Sequence, residues 1–402
     1  GKGLYHVLGN TVSLNATIKK ICIRTAAKKR AIPAEHFTTS AAELLNDESI
    51  NVIVELIDDA DAAFEIVKTA LQKGKAVVSA NKKMIAANFE ELILLQRKHN
   101  TALLYEAACC ASIPIIRNLE EYYDNDLLKA VKGIVNGSTN YILTKISEDG
   151  LSFKEALLNA QQCGFAESDP KLDIKGYDAA NKLAILSLHS FGSLNKPEDF
   201  IFSGIDRITA KDSIHAKEKK LEIKLVAQAK ILRGGKLAAF VLPQFVSAND
   251  DLYAVKNEFN ALVTESCFAD KQFFKGKGAG AFPTAAAVLS DISALRYNYR
   301  YEYKKLQSDN CIKLTNDYYL KVYISADSID KIAELDFEWI EEWHNDYHYS
   351  SAIGVIHAQK LFENDWWKKA GVSLILCNEP IIENIDHRLI RKKSLQLAGV
   401  TS

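Results

Sequence analysis

The stretch "NVIVELIDDADAAFEIVKTALQKGKAVVSA" (51–80) decides the fold class of this chain. Its first seven residues form a run rich in β-branched side chains, as in a strand that is buried on both faces. Residues 61–75 then have helical spacing and include Gly74, a residue type that commonly ends helices. Residues 76–80 form a second buried-strand pattern. A strand, a helix and another strand in this order predict a βαβ unit and a parallel sheet.

The flanking sequence extends this alternation in both directions. Residues 17–24 alternate as a strand does, and the opening "GKGLYHVLGN" (1–10) places Leu4, Val7 and Leu8 on one helical face. Toward the C-terminus, residues 88–100 predict a helix and residues 101–107 a strand. We therefore expect an α/β domain built on a doubly wound parallel sheet.

Ligands of such sheets bind beyond the carboxyl ends of the strands. Two loops occupy that position here, "IDD" (57–59) and "SANKK" (79–83). Lys82 lies in the second loop and is a candidate site residue. The alternative, a solvated lysine at the start of a helix, is equally compatible with the sequence.

Composition and length restrict the class of protein. The chain has 402 residues, 48% of them hydrophobic and 25% charged, which is typical of an ordinary soluble protein of two or three domains. A formal net charge of -1 gives no electrostatic case for nucleic acid or an anionic membrane as a partner. The longest apolar run (102–116) contains Glu106 and is too short to span a bilayer. Seven cysteines without a CxxC spacing indicate reduced thiols in a cytoplasmic protein.

The remaining sequence divides into two further parts. Residues 114–290 mix helices with a strand-rich stretch (221–246) and predict an α+β domain, which ends near a glycine loop and a small-residue helix (275–295). In the tail, three segments resemble strands (317–325, 351–359 and 371–378) and two resemble short helices (328–335 and 364–370). That pattern is compatible with a small βαββαβ module.

The chemistry concentrates in "GFAESDPKLDIKGYDAANKLAIL" (164–186). Four acids lie within twelve positions: Glu167, Asp169, Asp173 and Asp178. Asp178 and Lys182 are four residues apart on a predicted helix and share a face. An exposed, routine ion pair is the alternative, but "LAILSL" after Lys182 indicates that this helix is buried. A partly desolvated lysine beside carboxylates can exchange a proton near neutral pH, and clustered acids suit a substrate ammonium group. We predict a dehydrogenase for a small amino-acid-like alcohol or aldehyde.

Five motifs in this order give the chain a family resemblance: "SANKK", "YEAACCASIPIIRNL", "GIVNGSTNYIL", the 164–186 stretch and "GKGAGAFPTAAAVLSDI". Together they resemble homoserine dehydrogenase over residues 1–300, in a monofunctional form. The resemblance implies a Rossmann-type dinucleotide-binding domain (1–113, completed by about 275–305) and a catalytic and dimerisation domain (114–290). It also implies a C-terminal ferredoxin-like ACT regulatory module (315–402).

The resemblance implies a reversible, nicotinamide-dependent interconversion of L-aspartate 4-semialdehyde and L-homoserine. Lys182 matches the family's proton-donating lysine. Asp178 matches the aspartate that helps to hold the substrate and orients that lysine. Glu167 and Asp173 match acids that bind the polar end of the substrate. Lys82 matches a catalytic lysine close to both cofactor and substrate. Chemically, aldehyde reduction builds alkoxide charge, which a positioned ammonium group stabilises and protonates.

The implied cofactor residues are mostly glycines, whose missing side chains allow close backbone approach: Gly1, Lys82, Gly137, Ser138, Gly164 and Gly280. Plain tight turns are the alternative. In the family a first strand and a G-x-G-x-x-G turn precede the opening helix, so Gly1 matches the third glycine and we expect the rest to be omitted from this chain. After Arg24, "RTAAKKR" contains no acid for ribose hydroxyls. This favours NADP over NAD, although Arg24, Lys28 and Lys29 are equally explained as surface charges.

The family's sodium site matches one carboxylate, Glu106, and the backbone carbonyls of Cys109, Ala111 and Ile113. "CCAS" (109–112) replaces the family's glycine-rich segment, so the backbone could differ if a glycine had needed positive φ. The alternative is that Glu106 is only an acid at a strand end and that both cysteines are packed small residues.

The tail leaves several readings open. "YISADSIDKIAEL" (323–335) lacks the Gly/Pro turn that normally lines an ACT effector pocket, which argues against threonine inhibition. His344 and His348 have the spacing of a metal pair on a helix, but no HExxH glutamate lies between them and a metal site is not favoured. We expect Trp366 and Trp367 to be packing or interface residues and not a ligand cage. We expect a homodimer or homotetramer with a small-molecule substrate. The alternatives are a related NAD(P)-dependent aldehyde/alcohol oxidoreductase and a non-catalytic regulatory or assembly paralogue.

Overall fold

The computed structural model describes residues 1–11, 14–25, 30, 32–124, 127–307, 312–333, 337–346 and 349–384. Lys28, Lys29 and His348, which the sequence analysis considered, lie outside these ranges. The chain forms two compact units, one of residues 1–125 and 276–307 and the other of residues 126–275 and 308–402.

The helices and strands follow one another along the chain in three stretches. The first contains α1 (Lys2–Gly9), β1 (Ile21–Cys22), β2 (Phe37–Thr38), α2 (Ala41–Asn46), β3 (Val52–Glu55), α3 (Ala60–Gln72), β4 (Ala76–Ser79), α4 (Lys82–Ala87), α5 (Phe89–His99), β5 (Leu103–Leu104) and α6 (Ile115–Arg117). The second contains β6 (Leu128–Ile134), α7 (Gly137–Asp149), α8 (Phe153–Gln162), α9 (Lys171–Ile174), α10 (Tyr177–Phe191), β7 (Ile201–Phe202), α11 (Ala210–Glu218), β8 (Glu222–Ile231), β9 (Leu237–Val246), β10 (Phe259–Ser266), β11 (Lys271–Lys277) and α12 (Ala281–Leu295). The third contains β12 (Tyr319–Ala326), α13 (Ile329–Ala333), β13 (Trp339–Asp346), β14 (Tyr349–His357), α14 (Ala358–Glu363) and β15 (Val372–Ile382).

The first unit contains the predicted parallel sheet, with strand order β3-β4-β5. Val52 pairs with Ala76, and Val77 pairs with Leu103. Helix α3 starts where the Asp59 carboxylate accepts the N–H groups of residues 61 and 62, and it ends before Gly74, whose φ is +72°. The βαβ prediction for residues 51–80 is therefore confirmed.

Two predicted strands of this unit are shorter than the sequence indicated. The 17–24 pattern yields only β1, which pairs with β2 in a separate two-stranded sheet. The 101–107 pattern yields β5 and then a 3₁₀ turn over Glu106–Ala108. At this turn the Glu106 carboxylate accepts backbone N–H groups ten and eleven residues later, so residues 105–107 do not continue the strand.

Small residues bring α1 and α12 together in the first unit. A Cβ on Gly3 would overlap the carbonyl oxygen of Ala281, so only glycine permits this approach. Leu4 packs with Val78 of the sheet and with Ala285 and Val288 of α12. The small-residue helix predicted after the glycine loop thus packs in the core beside the parallel sheet.

The second unit is built on a mixed sheet with strand order β11-β10-β6-β8-β9-β15-β12-β14-β13. The short strand β7 also pairs with β9. Most neighbours are antiparallel, whereas β7 and β15 each pair parallel to β9. Helix α10 packs against β8 and β9, which buries nearly its whole length. Residues 126–275 of this unit have the predicted α+β character, whereas residues 114–125 and 276–290, which the prediction placed in the same domain, belong to the first unit.

The C-terminal residues form elements in the order β12-α13-β13-β14-α14-β15, and four antiparallel strands lie in the order β15-β12-β14-β13. Leu376 of β15 pairs with Gln244 of β9, so this part extends the mixed sheet of the second unit. Strand β13 was not predicted, because nearly all its residues are exposed on both faces and no alternation marks it. His344 lies on this strand and not on a helix, so the helical spacing considered for it does not apply.

The predicted helix at 364–370 is only a 3₁₀ turn (Trp366–Lys368). The Trp367 ring is buried in the core of this part of the unit, and its indole N–H donates to the Leu361 carbonyl at 2.8 Å. The packing role expected for Trp367 is therefore confirmed. Across the described ranges, no helix has the length and apolar character needed to cross a membrane.

Candidate active site

Helix α10 carries a buried ion pair in its first turns. The Nζ atom of Lys182 lies 2.8 Å from Oδ2 of Asp178, and these side chains are only 8% and 6% exposed. The helix starts after Gly176, whose φ of +86° turns the chain sharply out of the preceding loop. Because Asp178 lies in the first turn, the helix dipole also favours its negative charge.

A two-residue segment after β6 contacts both members of this pair. Lys182 Nζ donates to the backbone carbonyl of Val135 at 2.6 Å. The next residue, Asn136, is 4% exposed, and its Nδ2 donates to Asp178 Oδ2 at 2.8 Å. The same Nδ2 donates to Oδ1 of Asp173 at 2.7 Å. The structure thus brings together Asp173, Asp178 and Lys182 around Asn136.

The sequence analysis did not identify Asn136, although it quoted the motif that contains it. Its Oδ1 accepts the backbone N–H of Thr139 at 2.8 Å and so caps helix α7. Asparagine between a buried strand and a helix is a recognisable capping signal, but that signal does not reveal its bonds to acids 37 and 42 residues away.

The acidic loop places its other predicted residues differently. The Glu167 side chain is exposed, and the backbone carbonyl of Glu167 accepts from Gln161 Nε2 at 2.9 Å. Its carboxylate makes none of the contacts described for the Asn136 cluster. Asp173 is half-buried on the short helix α9, between the exposed loop and the buried pair. Only one of the two predicted substrate acids therefore lies within the cluster.

Two glycines hold the loop before α10 against residues 203–205. A Cβ on Gly204 would overlap the carbonyl oxygen of Ile174, and one on Gly176 would lie 2.6 Å from the carbonyl oxygen of Ser203. The N–H of Ile205 donates to the Ile174 carbonyl at 2.7 Å. This close backbone packing fixes the distance between Asp173 and the start of α10.

The predicted cofactor glycines of the second unit have different surroundings. A Cβ on Gly137 would lie 2.6 Å from the carbonyl oxygen of Glu258, so this glycine serves close backbone packing. Ser138 donates from Oγ to the Phe165 carbonyl at 2.5 Å. Gly164 is exposed, with φ +75° and open space around it, just after the end of α8.

In the first unit, Gly1 caps α1 and Gly280 caps α12 with φ +121°. A Cβ on Gly1 would meet nothing within 4 Å. Lys82, half-buried, is the first residue of α4, directly beyond the carboxyl end of β4.

A network centred on Glu55 shapes the loop that carries Lys82. The Ser79 hydroxyl donates to Glu55 Oε2 at 2.5 Å and accepts the Asn81 N–H at 3.0 Å. Asn81 in turn caps α4 by accepting the Met84 N–H at 3.0 Å. Burial raises the pKa of the Glu55 carboxyl, and the Ser79 hydrogen bond opposes that shift. Sequence reasoning missed Glu55 because it took residues 51–57 only as a buried strand.

Comparison with known proteins decides the family of the chain. The model described as "Homoserine dehydrogenase, NAD binding domain" matches residues 1–106, and that described as "Homoserine dehydrogenase" matches residues 114–293. A curated homoserine dehydrogenase of Bacillus subtilis is 36% identical over 295 residues, which are 73% of this chain and 68% of that protein. The chain belongs to the homoserine dehydrogenase family.

Further relatives support this assignment. The homoserine dehydrogenase of Lactococcus lactis is 37% identical over 256 residues, 64% of this chain and 60% of that protein. The crystal structure of a homoserine dehydrogenase from Thiobacillus denitrificans matches with a TM-score of 0.80 and 25% identity, covering 94% of this chain and 95% of that one. A hyperthermophilic archaeal homoserine dehydrogenase mutant, solved in complex with NADPH, has a TM-score of 0.57 and 30% identity, covering 67% and 78%.

Homoserine dehydrogenases are NAD(P)-dependent oxidoreductases that act on a CH–OH group, so the predicted enzyme class and cofactor class are confirmed. The first unit contains the Rossmann-like NAD-binding domain, and the second contains the catalytic domain with its mixed sheet. The family reaction interconverts L-aspartate 4-semialdehyde and L-homoserine.

The surroundings of Glu106 do not fit the sodium site that the family resemblance implied. Its two carboxylate oxygens accept the N–H groups of Ile116 at 2.8 Å and Arg117 at 3.0 Å. The Arg117 guanidinium lies 3.6 Å from the same carboxylate, so a cation there would meet a positive charge. The Ile113 carbonyl accepts the Ile115 N–H at 2.9 Å.

The backbone of the "CCAS" segment has the conformation that its missing glycines would favour. Cys110 has φ +59° and Ala111 has φ +39°, values that L-residues adopt with strain. Cys109 and Cys110 are buried, in agreement with packed small residues. Among the described residues, no group of three or more His, Cys, Asp and Glu side chains could hold a metal ion.

Proposed function

We propose that this chain catalyses the family reaction, with Lys182 as the group that donates a proton to the aldehyde oxygen. The buried ion pair between Lys182 and Asp178 carries the proposal, because it combines a desolvated ammonium group with a carboxylate that keeps it charged and aimed. An exposed lysine of the same helix would be screened by water and poorly oriented.

The roles of the two residues follow from the charge that the reaction creates. When bound, the nicotinamide cofactor supplies the hydride for reduction and accepts it for oxidation. As the aldehyde is reduced, its oxygen gains negative charge, which the Lys182 ammonium stabilises and then neutralises by proton transfer. In the reverse direction Lys182 accepts the hydroxyl proton of homoserine, and Asp178 stabilises the ammonium that results.

We assign the binding of the substrate's ammonium group to Asp173 and Glu167. Asp173 is supported by its position beside the buried pair, where Asn136 fixes one of its oxygens. Glu167 is supported by its place in the family motif and by its exposed carboxylate. Carboxylates outnumber the lysine in this group, which leaves net negative charge for an amino-acid substrate.

For the cofactor we propose contacts from Gly1, Lys82, Gly137, Ser138, Gly164 and Gly280, with NADP preferred to NAD. Gly1 and Gly280 are supported by their positions directly before helices α1 and α12, where backbone N–H groups can bind phosphate, and Lys82 by its position at the carboxyl edge of the parallel sheet. The NADP preference is supported by the exposed Arg24 in a segment without an acid. Comparing kcat/KM for NADP and NAD tests it.

We propose that the C-terminal strands form a ferredoxin-like, ACT-like module whose main role is assembly into a homodimer or homotetramer. The element order and the sheet order β15-β12-β14-β13 support this fold. The effector role is not favoured, because the turn after β12 is filled by the Asp327–Lys331 ion pair and closed by Gly371. A threonine titration that changes rate or melting temperature would show that an effector does bind.

The deciding assay follows NADPH oxidation with L-aspartate 4-semialdehyde and NADP reduction with L-homoserine. Turnover of both supports the proposal. Turnover of another aldehyde or alcohol, but of neither of these, would identify a related oxidoreductase. Cofactor binding without any turnover would identify a non-catalytic paralogue.

A further inference from the structure

We infer that Asn136 is a positioning residue of the reaction, which holds Asp173 and Asp178 together and thereby orients Lys182. This inference rests on the proposed function, because Asn136 acts through residues to which that function assigns roles. Its basis is the pair of hydrogen bonds from one buried nitrogen to two carboxylates.

The orientation of the Asn136 amide is fixed by its partners. Oδ1 accepts the N–H of Thr139, which can only donate. Nδ2 faces two carboxylates, which accept when ionised. A rotated amide would bring oxygen against both carboxylates and nitrogen against an N–H group. The side chain therefore presents two donors to the acids and one acceptor to helix α7.

A neutral donor is suited to this position. Two ionised carboxylates near each other repel, and a lysine or arginine between them would relieve that repulsion. Such a cation would also cancel the negative charge that an amino-acid substrate needs. An amide satisfies one oxygen of each carboxylate without adding charge, so the ion pair between Lys182 and Asp178 is left in place.

Residues 135 and 136 together hold both halves of the ion pair. The Val135 carbonyl accepts from the Lys182 ammonium group, and the Asn136 amide donates to the Asp178 carboxylate. The next residue, Gly137, packs without a Cβ against the Glu258 carbonyl, which leaves this segment little freedom to move. The end of strand β6 therefore sets the position of the ion pair on α10.

Three substitutions separate this role from the capping of α7. Asn136→Ser and Asn136→Asp retain an oxygen that can cap the helix, but neither supplies two donors to the acids. Asn136→Ala removes both functions. We expect kcat/KM for homoserine to fall about 100-fold in the serine variant, the scale of a small misplacement of reacting groups. KM for the cofactor should stay unchanged.

The aspartate variant adds a readout that a capping role would not move. It places a third carboxylate beside Asp173, Asp178 and Lys182, so the group retains a proton to higher pH. The acidic limb of its pH–rate profile should shift upward, and part of the lost activity should return at alkaline pH. Ser152→Ala removes the cap of the exposed helix α8 in the same unit and is the matched control, with wild-type kinetics expected.

The inference would be overturned if Asn136→Ser and Asn136→Asp both had wild-type kinetics and only Asn136→Ala lost stability. Asn136 would then act only as a helix cap. A second measurement needs no turnover. In a double-mutant cycle of Asn136→Ser with Asp178→Asn, we expect non-additive shifts of the unfolding midpoint. Additive shifts would also overturn the inference, whereas an inactive wild-type chain with coupled midpoints would overturn the proposed function alone.

Discussion

Lys182 and Asp178 form an ion pair across one turn of helix α10 with 2.8 Å between Nζ and Oδ2, and both side chains are more than nine-tenths buried. A second pair with the same spacing, Lys145 and Asp149 on α7, has a similar distance of 2.9 Å, but its side chains are 24% and 47% exposed. The two pairs have the same spacing but differ in burial, and exposed ion pairs contribute little to stability. The Lys145–Asp149 pair is therefore a suitable control for substitutions at Lys182 and Asp178.

Replacing Lys182 should strongly reduce turnover. A general acid contributes about 10²- to 10⁴-fold to a rate, and we expect kcat to fall within that range in Lys182→Ala. Removing one partner of a buried pair also destabilises the fold, by about 3 kcal/mol. Lys182→Arg retains the positive charge but exchanges protons poorly, so it should lose kcat with less effect on stability. Steady-state kinetics measure kcat and thermal unfolding measures stability, and Lys145→Ala is the control for both. A near-normal kcat in Lys182→Arg would contradict the proton-donor role.

Replacing Asp178 by asparagine should lower kcat/KM about 100-fold. The amide keeps the shape but no longer holds the Lys182 ammonium by charge, so the lysine is less well aimed. Kinetics with homoserine test this, and Asp149→Asn should leave the rate unchanged. An Asp178→Asn variant with wild-type kcat/KM would show that the ion pair is only structural.

Gly204→Ala should weaken substrate binding through the loop before α10. The new methyl group would overlap the Ile174 carbonyl, which forces the backbone of residues 174–176 to move at a cost of about 1–3 kcal/mol. We expect a lower melting temperature and a higher KM for homoserine. Gly234→Ala, where a Cβ meets nothing within 4 Å, is the control. An unchanged KM in a destabilised Gly204→Ala would dissociate this packing from the site.

Asp291 should make the stability of the chain depend on pH. Burial, reinforced by the Glu106 carboxylate and opposed by Arg117, raises the pKa of the Asp291 carboxyl to about 8. Between about pH 4 and pH 8 the folded state therefore holds one proton more than the unfolded state, and stability falls as pH rises. The slope approaches about 1.4 kcal/mol per pH unit.

Asp291→Asn stays neutral and should lack this fall, while its amide oxygen can still accept the Glu106 N–H. Urea unfolding at several pH values measures the difference, with the exposed Asp61→Asn as control. Parallel pH profiles of the wild type and Asp291→Asn would contradict the prediction.

Lys224 should give the opposite dependence at alkaline pH. It lies fully buried on β8, where Nζ donates to the Val255 carbonyl at 2.6 Å. Burial, and then the nearby charge of Lys256, lowers the pKa of Lys224 to about 8. Above that pH the unfolded state holds the extra proton until about pH 10.5, so stability should rise with pH in this window.

Lys224→Met removes the titrating group and should remove this rise, whereas Lys230→Met, half-exposed on the same strand, should retain it. Unfolding free energies at pH 7.5, 8.5 and 9.5 test the pair. Identical slopes in the wild type and Lys224→Met would show that Lys224 does not lose its proton in the folded state.

The parts of the fold that the sequence predicted depend on neighbours in the chain. The sequence of residues 51–80 predicts a βαβ unit because the periodicity, the helix cap and the helix-ending glycine each depend only on residues close together in the chain. The Asp178–Lys182 spacing is local in the same sense. Strand β13 was missed for the converse reason: with both faces largely exposed, its residues show no pattern of burial to read.

The sequence by itself thus determined the βαβ sheet, the α10 ion pair and the family motifs that surround it. Only the tertiary structure decided that the ion pair is more than nine-tenths buried, that Asn136 joins Asp173 to Asp178, and that Glu106 is paired with Arg117. The two Asn136 contacts link residues 37 and 42 positions apart, and their geometry depends on how the backbone packs at Gly137, Gly176 and Gly204. Spacing along a chain fixes which side chains share a helix face, whereas burial and long-range partners are set by packing.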